Sequence, residues 1–253
     1  MIFITGDTHA EFERRFNTEN FPEQKEMTKD DYVIICGDFG GIFDAEGETK
    51  NEKYWLDWFE SRNYTLLFVD GNHENFDRLN SYPVREWYGG KVHEIRPHVL
   101  HLMRGQVFTI DDKKIFAFGG ARSHDIGGGI LETEDPEFQK KKQELNRSCK
   151  AYRINHISWW AQELANGEEM EEGRKNLRDN DNTVDFIITH CCSTSTQVFV
   201  GGSMFRPDRE TDYLEYIKNH TNYKKWFFGH YHSVYSDRLE HTARSFRAGL
   251  PLI

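Results

Sequence analysis

Tyr32-Val33-Ile34-Ile35-Cys36-Gly37-Asp38-Phe39-Gly40-Gly41 is the stretch whose reading decides the fold. An apolar, largely β-branched run ends in glycine, and one carboxylate stands where the run stops. Such short runs read as buried strands, and the carboxyl ends of strands in an α/β sheet are where ligands bind. The same pattern recurs four times. Ile2-Phe3-Ile4-Thr5 leads into Gly6-Asp7-Thr8-His9, and Thr65-Leu66-Leu67-Phe68-Val69 into Asp70-Gly71-Asn72-His73-Glu74. Val184-Asp185-Phe186-Ile187-Ile188-Thr189 leads into His190, and Lys225-Trp226-Phe227-Phe228 into Gly229-His230-Tyr231-His232. Five strands each deliver Asp, Asn or His at the same end.

The 253 residues suffice for one large domain with a substantial core, and no linker, repeat or low-complexity tract divides them, so residues 1–253 read as a single domain. Formal net charge is −10. Nucleic-acid binders usually carry a basic stripe, and the balance argues for a small phosphate ester rather than a stable nucleic-acid complex. Met1 runs straight into the first strand with no signal-peptide pattern. No run approaches the roughly 18 apolar residues of a membrane span. Cys36, Cys149, Cys191 and Cys192 show neither a CxxC pair nor a disulfide framework. Together these predict a cytoplasmic protein with no membrane contact; oligomeric state is not legible.

Between the ligand strands, residues 10–16, 51–62 and 74–79 are expected to be helical, the second with an aromatic face of Tyr54, Trp55, Trp58 and Phe59. Four short strands between Gly90 and Gly120 read as a meander forming a second sheet or its edge. The last of them ends in Gly119-Gly120-Ala121-Arg122-Ser123 without a clear ligand. Residues 136–165 are expected to be helical, with Ile154, Ile157, Trp160, Ala161 and Leu164 on an inner face. Residues 167–182 read as a solvated acidic helix and loop, and residues 213–217 as part of a further helix.

Taken singly, each Gly-Asp or terminal His is more often a turn or a satisfied polar group than a ligand. The set is another matter: Asp7, His9, Asp38, Asn72, His190, His230 and His232 all lie at the ends of apolar runs. Imidazoles with carboxylates and one amide oxygen suit first-row ions, Mn first, with Fe, Zn or Ni also compatible. Seven donors are too many for one such ion and fit two if a carboxylate bridges. Two divalent ions would exceed the charge of Asp7 and Asp38, leaving a surplus for a hydroxide and an anionic phosphate. His73 adjoins Asn72 and can hold a proton near neutral pH for a departing alkoxide, the alternative being a structural hydrogen bond.

Gly6-Asp7-Thr8-His9, Gly37-Asp38, Gly71-Asn72-His73-Glu74, Thr189-His190 and Gly229-His230-Tyr231-His232 together resemble the signature of the calcineurin-like metallophosphoesterases. The segments 119–123 and 158–163 are similar to a bacterial or phage-type branch. The resemblance implies an α/β four-layer sandwich of two mixed β-sheets flanked by helices. It also implies one metal on Asp7, His9 and His232, the other on Asn72, His190 and His230, and Asp38 between them. His73 becomes the leaving-group acid or a phosphate contact. Protein phosphatases of the superfamily carry Gly-Asp-x-x-Asp-Arg-Gly at the second motif, whereas Gly41 and Ile42 stand where that Asp and Arg would be. Arg122 and Asp125 are the candidates to take over, Arg122 and Asn72 contacting substrate.

The expected activity is dinuclear-metal hydrolysis of phosphate mono- or diesters, with a metal-bound hydroxide as nucleophile. The alternatives are a nuclease and a catalytically silent metal-binding scaffold. Specificity is expected from residues 39–50, 122–135 and 193–209.

Overall fold

A computed structural model describes residues 1–202, 205–232 and, as backbone alone, 240–242. β1 (Ile2–Thr5), β2 (Tyr32–Cys36) and β3 (Thr65–Val69) pair in parallel, with Ile4 opposite Ile34 and Ile34 opposite Leu67. β4 (Val84–Trp87), β5 (Gly90–Arg96) and β6 (Val99–Leu102) complete this sheet: β6 lies parallel to β3, and β5 and β4 continue antiparallel. β7 (Gln106–Ile110) and β8 (Lys113–Phe118) are a hairpin that opens the second sheet. β9 (Ile130–Leu131) and β10 (Arg153–Ile154) pair only with each other. β11 (Phe186–Thr189), β12 (Lys225–Phe228) and β13 (Glu240–Thr242) then run parallel to β8, in the order β13-β12-β11-β8-β7.

Alternation along each strand sorts side chains between the two faces of a sheet. Phe3, Val33, Ile35, Leu66 and Phe68 meet α1 (Phe12–Phe16), α2 (Lys50–Glu60) and α3 (Phe76–Leu79) through Phe12, Phe16, Leu56, Phe59 and Leu79. The other face, Ile2, Ile4, Ile34, Leu67 and Val69, packs against Phe108, Ile115, Ala117 and Ile188 of the second sheet. Phe116, Phe118, Ile187, Trp226 and Phe228 lie on that sheet's outer face with Leu177, Leu214 and Ile217 of the helices beyond. Four layers result, as expected from the sequence. Each fully buried Phe or Leu contributes roughly 1.5–3 kcal/mol, so three such clusters fix the strand ends firmly.

α4 (Phe138–Arg147), α5 (Gly167–Arg178), α6 (Thr194–Gly201) and α7 (Arg209–His220) follow. α5 starts with a capping box between Asn166 and Glu169. Its polar sequence still buries Gly173 and Leu177, so it is less solvated than its composition suggests. Ser203 and Met204, part of the third specificity stretch, lie outside the described residues.

Two expectations are corrected. The meander does not stay in one sheet: β5 and β6 finish the first and β7 and β8 begin the second. The crossing is made at Gly105, whose φ of +75° is open to glycine at no steric cost. Nor are residues 136–165 one helix. α4 stops at Arg147, Cys149 takes a left-handed φ of +50°, and Ile154 enters β10 with its N–H donated to the Ser158 hydroxyl at 2.9 Å. The 154/157/160/161/164 spacing mimics a helix face, but pairing with β9 and the Ser158 turn take those backbone groups instead.

Glu210, in the first turn of α7, is wholly buried; Oε2 accepts the Ala165 N–H at 2.8 Å and Oε1 has no hydrogen-bond partner among the described residues. Burial pushes this carboxyl up to about 8, against the pull of Arg104 and the Ala165 N–H. The folded value thus exceeds the unfolded one, near 4.5. Stability is complete below the unfolded value and falls as pH rises from there toward 8, because only the unfolded chain releases the proton. Glu210→Gln keeps the acceptor for Ala165 and cannot ionise. Urea unfolding is expected to show little change near pH 4.5 and a stabilised variant at pH 8, by at most about 5 kcal/mol. Parallel stability-pH curves for the two proteins would mean that Glu210 is ionised in the fold.

Candidate metal centre

The candidate ligands leave the carboxyl ends of strands from both sheets and meet in the cleft between those ends. Asp7 follows β1, and both its oxygens accept the backbone N–H of His230, at 2.8 and 2.9 Å. Asp38 follows β2, and its Oδ1 accepts the His73 N–H at 2.8 Å. His190 follows β11 and directs Nδ1 to the Cys36 carbonyl at 2.8 Å. That bond keeps a proton on Nδ1 and turns Nε2 toward the cleft, so that Nε2 is the nitrogen that would coordinate an ion on losing its own proton. Asn72 gives its Nδ2 to the Ser123 hydroxyl at 3.3 Å, and Ser123 donates onward to Glu163 at 2.6 Å. The amide oxygen is thereby turned to within 3.3 Å of His190 Nε2.

The motif glycines are steric requirements. A Cβ at Gly37 would land on the His190 ring, one at Gly71 on Asp38, and one at Gly229 on Asp7. The backbone is also held under tension: His9, Asp38, His230 and His232 have φ of +44°, +47°, +67° and +47°. Each such conformation costs a non-glycine residue about 1–2 kcal/mol, and strain of this kind collects where function over-determines the geometry.

Two nests of donor atoms result. Asp7, His9 and His232 form one, and Asp38, His190 and His230 the other, each with its ligand atoms within 4.8 Å of one another; His9, Asp38 and His73 meet the same measure and link the two. In the first, His232 Nε2 lies 3.0 Å and His9 Nε2 3.8 Å from Asp7 Oδ2. Asp38 Oδ2 stands between the nests, 3.6 Å from His9 Nε2 and 3.3 Å from His190 Nε2. The donor chemistry fits a pair of first-row divalent ions. Electrostatics agree. Burial opposes charge on His190, but Asp38 and Asp7 outweigh it and push the imidazole up to about 10. Burial likewise opposes the Asp38 carboxylate, yet His190 and His73 hold it well below the usual range.

All seven sequence-predicted ligands therefore converge. His73 lies beside them, its ring 5.1 Å from that of His9. Burial lowers its pKa, Asp38 acts in the opposite direction, and Arg153 adds to the lowering. Arg122 is exposed and makes no hydrogen bond or ion pair among the described residues. Asp125 is not at the centre either; it pairs with the Arg153 guanidinium at 2.6 Å. Arg153 is the arginine that reaches His73, with Nη2 3.4 Å from Nε2. His124 was also missed, and its Nε2 is 2.7 Å from His230 Nε2. Both lie between Gly120 and Glu163, where no strand ending points at a ligand.

Asp70, one residue beyond β3, serves the fold. Arg104 takes its Oδ2 at 2.5 Å and His101 its Oδ1 at 3.0 Å. Cys36, Cys191 and Cys192 are buried, and burial pushes the Cys36 and Cys191 thiols up, away from the reactive thiolate. No helix among the described residues is long and apolar enough to cross a membrane.

Comparison with known proteins places this geometry. Lariat debranching enzyme A of Xenopus laevis is 27% identical over 152 residues, 55% of this chain and 27% of its own length. The lariat debranching enzyme of Drosophila pseudoobscura pseudoobscura is 29% identical over 144 residues, 52% of this chain and 25% of its own. That of Danio rerio is 26% identical over 169 residues, covering 62% and 27%. The chain thus spans about a quarter of the length of these curated relatives. Phosphopantetheinyl hydrolase (PptH) from Mycobacterium tuberculosis aligns with 95% of this chain and 87% of its own at TM-score 0.44 and 13% identity. The profile of the calcineurin-like phosphoesterases matches residues 1–234, from the strand that delivers Asp7 past the turn that delivers His232. On that match the chain belongs to the calcineurin-like phosphoesterase family.

Proposed function

We propose that the chain hydrolyses phosphodiesters at a dinuclear centre, with Asp7, His9 and His232 holding one ion, Asn72, His190 and His230 the other, and Asp38 shared. The observation that carries this reading is Asp38 Oδ2 lying between His9 Nε2 and His190 Nε2 while Oδ1 is tied to the His73 N–H. One carboxylate oxygen is left to serve both nests. When bound, two divalent ions, Mn first, supply Lewis acidity that neutralises phosphate charge and lowers the pKa of the attacking water. The protein's own groups do the rest. His73 is the donor to the leaving oxygen, and Arg153, anchored by Asp125, grips a non-bridging phosphate oxygen. Arg153 replaces Arg122 in that role. A diester is preferred over a monoester because the curated relatives are named lariat debranching enzymes. The same names count against restricting the substrate to small esters.

The test is turnover of bis-nitrophenyl phosphate against nitrophenyl phosphate after loading with Mn²⁺, with bound metal quantified. Diester turnover that requires metal supports the reading. Two bound ions with no turnover of either ester would favour the silent scaffold. Arg153→Lys keeps the charge and loses the planar fork, and a roughly tenfold fall in kcat/KM for the diester is expected. Arg153→Ala should lose about a hundredfold or more, while bound metal stays at the wild-type level. Unchanged kinetics in both variants would remove Arg153 from the site.

A further inference from the structure

The chain is acidic overall, yet its charge is not evenly spread. Residues 138–153 carry six basic side chains, Lys140, Lys141, Lys142, Arg147, Lys150 and Arg153, against one acidic, Glu144. Ten of these residues form α4, a helix with no buried residue. A helix polar almost all round needs a reason outside its own packing. α4 rests against β9 and the neighbouring loop through a partly buried edge, where Leu145 approaches Gly128 closely. Lys140 and Lys141 touch Glu137 and Asp135, but pairs this exposed contribute about 0–1 kcal/mol and exchange readily for another anion. Arg147 and Lys150 have no acidic partner among the described residues.

The basic surface also leads somewhere. Lys140 and Arg147 are two turns apart on one face, about 10 Å along the helix axis. Lys150 follows, and at most about 10 Å of chain separates it from Arg153, whose guanidinium meets His73 in the centre. The excursion is closed at its base by the Ala121 N–H and the Ser123 N–H, bonded to the Glu163 carbonyl and carboxylate. Along the chain its positive charges therefore run from an exposed helix to the arginine that meets His73. A single small ester would use only the last of them.

We propose that α4 and the Lys150–Arg153 segment form a track for the phosphodiester backbone of a single-stranded nucleic acid, which delivers one phosphate to the centre. This rests on the phosphodiesterase reading and goes beyond it by naming the substrate class and the surface that holds it. Phosphate contacts of this kind bind without reading sequence. The sequence-based expectation of no stable nucleic-acid complex weighed the net charge of −10, an average that this local surface does not follow.

The test combines Lys140→Glu, Arg147→Glu and Lys150→Glu, exposed residues outside the centre. Binding of a fluorescein-labelled single-stranded RNA is followed by anisotropy in chelator, where no cleavage occurs, and turnover is measured separately with Mn²⁺. The variant is expected to bind the RNA at least about tenfold more weakly, with a log-log salt dependence shallower by about two. Its kcat/KM for bis-nitrophenyl phosphate should stay within about twofold of wild type, since the centre is untouched. Equal RNA affinity in the two proteins, or tighter binding of a poly-glutamate peptide than of RNA by the wild type, would overturn the proposal. Wild-type protein that binds RNA on this surface but turns over no ester would overturn the phosphodiesterase reading while leaving the track standing.

Discussion

Asp38→Asn is expected to fold as the wild type does and to lose about three orders of magnitude in diester turnover, with no more than one ion per chain. Oδ1 is committed to the His73 N–H, so the asparagine keeps its oxygen there. The amide nitrogen must then occupy the Oδ2 position, between His9 Nε2 and His190 Nε2. A shared anionic acceptor becomes a neutral donor aimed at two nitrogens that should themselves be ligands. The substitution also removes the main influence holding His190 in its protonated form, so that ring should titrate well below its wild-type value of about 10 in metal-free protein. Metal content by mass spectrometry, turnover of bis-nitrophenyl phosphate and the urea midpoint measured together give the answer. A variant with two ions and full turnover would show that Asp38 does not bridge.

Gly229→Ala removes no ligand and is expected to be nearly as harmful. The added methyl would land on Asp7 Oδ1 and come within 2.6 Å of the Cys36 carbonyl oxygen. Neither is free to retreat. Asp7 is pinned by the His230 N–H, and the Cys36 carbonyl receives the His190 Nδ1–H. Overpacking of this kind costs about 1–3 kcal/mol, and displacing Asp7 should lower metal affinity about 10- to 100-fold. Gly127→Ala is the control, since nothing lies within 4 Å of its Cβ position; its effect should stay within about 0.5 kcal/mol. Comparable metal affinity in the two variants would mean that Asp7 has room to move.

The layers and the convergence of ligands were legible because both follow from periodicity. In Tyr32–Cys36 alternate side chains go to different cores, and the polar residue that ends each run has nowhere to go but the strand ends. Arg153 and His124 were not legible for the same reason. They sit on an excursion whose shape comes from a two-residue pairing, a Ser158 turn and the Ser123–Glu163 bond, none of which has a period. The ending of β8 at Phe118 read as lacking a ligand, and His124, which approaches His230, lies further along the chain outside any strand.

Each donor nest draws on both sheets: Asp7 and His9 face His232, and Asp38 faces His190 and His230. The spacing of the two sheets is set by the side chains between them, Ile34 and Leu67 against Ala117 and Ile188. That interior acts as a gauge block, and the separation of the two nests is one of the lengths it sets. A methyl group added at Ala117 would wedge the sheets apart, and the centre would register the change as a mismatch between ligands that had not themselves been altered. Catalytic tolerance in this protein is therefore machined into its greasy middle, out of reach of any residue that touches substrate.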